Sequence, residues 1–71
     1  MPSLPRTSGA AIIKALERPG LTKIRQTGSH AMMRRGSIGC VVPVHREVKL
    51  GTLARILRQV GVTAEEFINV L

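Results

Sequence analysis

Turn-forming pairs crowd the middle third of this chain so closely that no long element fits between them. Pro19-Gly20, Thr27-Gly28 and Gly36-Ser37 bound "LTKIRQ" (21–26) and "SHAMMRR" (29–35), and "IGCVVPVH" (38–45) follows. Runs of this length, mixing β-branched and basic residues or rich in valine, read as strands. The two short connections predict hairpins, and therefore an antiparallel three-stranded meander. Pro43 has no N–H for a ladder, so the third strand is an edge or ends there.

Helical patterns flank this meander. A first helix is expected from near Ser8, whose hydroxyl suits an N-cap. Ile12, Ile13 and Leu16 form its apolar stripe, Lys14 and Glu17 lie outside it, and Pro19-Gly20 ends it. In "GTLARILRQVG", Leu53, Ile56, Leu57 and Val60 repeat at helical spacing, with Thr52 as the expected N-cap and Gly61 as the stop. "TAEEF" matches a capping box, Thr63 as cap and Glu66 at N3, ahead of a short last helix burying Phe67, Ile68 and Leu71. Residues 1–7, with Pro2 and Pro5, read as an extended arm, and residues 8–71 as a single domain. The order α-β-β-β-α-α describes an α+β fold whose helices cover one face of a three-stranded antiparallel sheet.

A chain of 71 residues has a thin core, which favours support from a partner. Cys40 is the only cysteine, which rules out an intrachain disulfide and a CxxC zinc pair; it reads as a small apolar residue of its strand. The formal charge of +7 favours polyanionic partners, and eight of the eleven basic residues are arginine, the type suited to phosphate and to stacking on bases. No apolar run approaches the ~20 residues of a membrane span, and the N-terminus lacks the apolar stretch of a signal peptide, so a cytoplasmic protein without membrane contact is expected. Phe67 is the only aromatic residue, which argues against a stacking platform of the usual kind.

Two histidines sit where the meander brings strand ends together. His30 begins the second strand after a glycine turn and His45 ends the third, so a hairpin places both at one end of the sheet. Arg25, Arg34 and Arg35 flank His30, Arg46 and Lys49 follow His45, and Arg55 and Arg58 lie on the next helix. An imidazole among cations suits RNA cleavage, where a 2′-hydroxyl loses a proton and a 5′-oxygen gains one. Arginines stabilise the charge that develops on the phosphoryl oxygens. With no aspartate and scattered glutamates, a two-metal nuclease site is not expected, and no cofactor is called for. The residues alone leave a second reading open: a non-catalytic basic RNA-binding module in which the histidines merely contact phosphate or solvent.

The segments "IIKALERPGL", "RQTGSH", "VVPVH" and "KLGTLARILRQVGVTAEEFINVL", in this order, resemble the HicA toxins of HicA–HicB toxin–antitoxin pairs. The resemblance covers nearly everything from Ser8 onward. It implies a double-stranded-RNA-binding-domain-like fold and an mRNA interferase, an endoribonuclease whose catalytic histidine is His30, with Gly28 and Ser29 as its turn. His45 matches the second histidine of the family's "VPxH" segment, as a further catalytic group, a substrate contact or a support. Arg25, Arg34, Arg35, Arg46 and Lys49 become candidate RNA contacts beside Gly28 and Ser29. The implied partners are mRNA and an acidic HicB-like antitoxin, with DNA reached only through the antitoxin complex. The chain departs from the family pattern at Leu21, where an aromatic is common, and at Ala31, Met32 and Met33, where a further histidine or aromatic is common.

Overall fold

A computed structural model describes residues 3–71 of the chain. Six elements follow one another in the expected order: α1 (Gly9–Glu17), β1 (Thr22–Thr27), β2 (His30–Arg35), β3 (Ile38–Pro43), α2 (Leu50–Val60) and α3 (Ala64–Val70). Ser8 caps α1 as expected, its Oγ accepting from the Ala11 N–H at 3.1 Å. The chain reverses after α1 through Gly20, at φ +99°, and the Leu21 N–H returns to the Leu16 carbonyl at 3.1 Å.

The sheet is an antiparallel meander with β2 in the centre. Gly28 and Gly36, at φ +58° and +61°, adopt the left-handed conformation that tight hairpin turns require. Their register pairs His30 with Thr27 on one side and with Pro43 on the other. Pro43 is both the last residue of its strand and on an edge strand, so β3 stops short of His45. Between Lys23 and Arg25 the register of β1 shifts, a bulge that leaves Ile24 without a ladder partner.

Side chains alternate cleanly across β2 and β3. Ala31, Met33, Cys40 and Val42 are buried under the helices, while His30, Met32, Arg34 and Val41 lie on the uncovered face. The core joins these strand residues to Ile12 and Leu16 of α1, the Leu53, Ile56, Leu57 and Val60 stripe of α2, and Phe67, which is fully buried. Each such large side chain contributes about 1.5–3 kcal/mol on burial. β1, exposed at every position, contributes none of its own, which is the thin core that the length implies.

Two local expectations are corrected. Thr52 does not cap α2: the helix begins at Leu50, Lys49 takes the N-cap position without a side-chain bond, and the Leu53 N–H closes on the Lys49 carbonyl at 3.0 Å. Val48 forces this early start, because it is buried and bridged to Thr7, its N–H on the Thr7 carbonyl at 2.8 Å. Leu71 is 51% exposed rather than buried, since α3 ends at Val70. The capping box of α3 forms as read, Glu66 N–H to the Thr63 hydroxyl and Thr63 N–H to the Glu66 carboxylate.

The described part of the N-terminal segment, from Ser3, is tied down: Leu4 packs on the core, Thr7 bridges to Val48 and Arg6 pairs with Glu47 at 2.8 Å. Met1 and Pro2 lie outside the described residues. The start of α1 sits directly on the end of β3. A Cβ on Gly9 would lie 2.1 Å from the Pro43 carbonyl oxygen and 2.7 Å from the Val44 Cα, so only glycine fits there.

Candidate active site

His30 and His45 reach one cleft by different routes. His30 is the first residue of β2 and takes its direction from the sheet, on the uncovered face. The turn before it is braced by the Gln26 amide, which donates to the Gly28 carbonyl at 3.1 Å. His45 lies beyond the sheet, and main-chain bonds position its segment from both sides. The Val44 N–H donates to the Ser29 carbonyl at 2.6 Å, and the His45 carbonyl accepts from the Gly9 N–H at 2.9 Å. Gly28 and Ser29 therefore serve both histidines, the first through the turn and the second through its carbonyl.

The cleft has a volume of about 390 Å³. Val41 and Pro43 give it an apolar side, and Lys49, Thr52 and Arg55 supply the wall from the start of α2. Both imidazoles are exposed to solvent. Glu47 is the one carboxylate at the rim, and its ion pair with Arg6 offsets its charge, leaving Lys49 and Arg55 to set the sign of the field. The early start of α2 adds to this. With no side-chain hydrogen bond at the Lys49 N-cap to offset it, the positive end of an 11-residue helix adds to the field at this wall. Such a cleft suits a phosphodiester: cations for its oxygens and two groups able to move protons.

The sequence-derived basic residues divide. Lys49 lines the cleft. Arg25 and Arg34 share the uncovered face with His30; the Arg25 guanidinium rests on the Met32 Sδ at 3.8 Å, and Arg34 lies four residues along β2 from His30, about 13 Å. Arg35 faces the other way and donates to the Pro19 carbonyl, tying β2 to the end of α1. Arg46 is exposed on the loop and outside the cleft lining. Arg55, which the sequence offers only as a cation on the next helix, and Thr52, which it offers only as an N-cap, both line the cleft, and a signal for them exists. Thr52, Arg55 and Gln59 recur at i, i+3, i+7 as a polar stripe opposite the apolar one.

Cys40 takes no part. Burial pushes its thiol above the ordinary range, so the neutral form packs as an apolar side chain. Among the described residues, no three His, Cys, Asp or Glu side chains are grouped to hold a metal ion, and no helix is long and apolar enough to cross a membrane.

A family model described as HicA toxin of bacterial toxin-antitoxin matches residues 9–62. The match runs from the first residue of α1 to just past α2 and includes every residue of the cleft. No curated protein matches significantly.

Proposed function

This chain belongs to the HicA toxin family of bacterial toxin–antitoxin systems, and from that premise we propose that it is a metal-independent endoribonuclease of mRNA in which His30 moves the proton. Membership gives the toxin role and a cognate antitoxin. The observation that carries the rest is the convergence of His30 and His45 on one cleft whose opposite wall bears Lys49 and Arg55.

The reaction that this arrangement supports is internal transfer. One imidazole takes the proton of a 2′-hydroxyl, whose oxygen forms a bond to the adjacent phosphorus. The P–O5′ bond breaks, and the leaving 5′-oxygen receives a proton from the other imidazole or from water. The product carries a 2′,3′-cyclic phosphate. Lys49 and Arg55, with the positive end of α2 behind them, stabilise charge on the non-bridging oxygens. His30 is the principal group, because the sheet fixes it and the glycine turn leaves it open. His45 assists it, and the proposed antitoxin, an acidic HicB-like protein, silences the toxin by covering this cationic cleft.

The deciding experiment is cleavage of a defined mRNA in EDTA by the purified chain beside its His30→Ala variant. Cutting by the wild type alone supports the reading. Wild-type cutting that needs an added metal, or a His30→Ala variant that cuts as fast, refutes it. RNA binding without cutting by either protein would instead mark a non-catalytic binding module.

A further inference from the structure

A second hollow, of about 430 Å³, adjoins the histidine cleft and opens on the uncovered face of the sheet. Val41 and Arg55 line both, so the two form one continuous trench. Met32, in the new hollow, lies two residues from His30 along β2, about 7 Å. Its surface is apolar where Ile24, Met32 and Val41 meet, and Arg34 and Arg55 stand over it. Gly39, opposite Arg34 in the ladder, leaves the floor clear of a side chain. No carboxylate lines it.

Ile24 is there because of the bulge. The register shift between Lys23 and Arg25 takes it out of the ladder and into the lining of the hollow, half exposed at 50%. Bulges re-aim side chains beside functional sites. An isoleucine on a strand that is exposed throughout adds nothing to the core; with Met32 and Val41 it gives this hollow an apolar lining open to a ligand.

We propose that this hollow is a nucleobase subsite, holding the base of an unpaired nucleotide next to the phosphate at His30. The proposal rests on the RNA-cutting reading above and names which part of the substrate the trench grips. A base has a broad apolar face and a polar edge. The thioether of Met32 and the aliphatic carbons of Ile24 and Val41 pack on the face, and the Arg34 guanidinium stacks on it while its charge neutralises the adjacent phosphate; Arg55, between the two hollows, stays on the phosphate at His30. Phe67 is fully buried and neither imidazole lines this hollow, so arginine and thioether take the task over. A base inside a duplex is stacked on both faces and stays out, so the hollow selects single-stranded RNA.

The test uses the intact chain and four-nucleotide single-stranded RNAs carrying 2′-O-methyl groups, which bind without being cut, each in turn lacking one base. Binding is read by fluorescence anisotropy. Removing one particular base is expected to weaken binding about tenfold, with little effect of removing others. An Ile24→Ser/Met32→Ser double variant, altered only on the uncovered face, is expected to bind the parent RNA about tenfold more weakly and no longer to distinguish it from the abasic one. The proposal is overturned if wild-type affinity is indifferent to every base. It is also overturned if the abasic penalty survives in the folded double variant, including the case where that variant instead loosens the antitoxin complex. The wild-type scan decides even if the double variant fails to fold. Cleavage of unmodified RNA, run alongside, separates the two readings. A base penalty without cleavage removes the nuclease and leaves the subsite, whereas cleavage without a base penalty does the reverse.

Discussion

His30 and His45 are the same kind of side chain held by different means, one by the β2 ladder and the other by the bond of the preceding Val44 N–H to Ser29 and that of its own carbonyl with the Gly9 N–H. Replacing them should therefore separate chemistry from placement. His30→Ala is expected to lower RNA cleavage by about 10²–10⁴-fold, the usual worth of a positioned acid or base, with the thermal unfolding curve unchanged. His45→Ala is expected to give a smaller loss. If both imidazoles transfer protons, the wild-type rate has a bell-shaped pH profile and His45→Ala removes one limb; a profile that keeps both limbs makes His45 a contact only. Gly9 tests placement. The methyl group of Gly9→Ala would meet the Pro43 carbonyl oxygen at 2.1 Å, so the variant is expected to lose about 1–3 kcal/mol in urea unfolding and cleavage with it. A variant as stable as the wild type would mean that the two backbones part easily. That both histidines occupy one end of the sheet was legible, because a hairpin joins the start of one strand to the end of the next. The need for glycine at position 9 was not, because it comes from a backbone that approaches from distant sequence.

At the level of elements, what was legible is what short-range bonds decide. Ser8 and the Thr63–Glu66 box satisfy N–H groups within three residues, so their chemistry can be read along the chain. The start of α2 depends on Val48 meeting Thr7 across the molecule, and local pattern pointed to Thr52 instead. The bulge at Ile24 was equally invisible, since nothing in "LTKIRQ" marks which residue leaves the ladder. The box also predicts a pH dependence. Backbone and side-chain hydrogen bonds from Thr63 hold the Glu66 carboxyl below its ordinary range. The folded state thus favours the ionised form. Its contribution is complete above the ordinary carboxylate range and is lost as pH falls through that range towards the lowered value. Glu66→Gln keeps a group able to accept from Thr63 but cannot ionise. Its melting temperature is therefore expected to fall less steeply than that of the wild type on acidification through the carboxylate range. Parallel curves would remove Glu66 from the acid response.

For the whole molecule, the +7 charge identifies a polyanion as partner but does not say where it lies, and the fold supplies the division. Arginines that look equivalent in "MMRRG" point to opposite sides: Arg34 stands over the trench, and Arg35 is bonded to the Pro19 carbonyl. Strand alternation made their separation legible, but only the register could say which one shares a face with His30. Their removal should therefore affect different observables. Each phosphate contact on single-stranded RNA releases counterions worth a slope of about 0.7 in log K against log salt. Arg34→Ala is expected to weaken RNA binding and flatten that slope by about this amount, with the fold's melting temperature nearly unchanged. Arg35→Ala is expected to leave the slope as it is and lower the melting temperature, because it frees the end of α1 from β2. Binding measured by anisotropy across a salt series, beside thermal melts of all three proteins, reads both quantities. If Arg35→Ala flattens the slope as much as Arg34→Ala, the RNA wraps past the edge of the sheet, and the basic surface acts as one field rather than a trench with a direction.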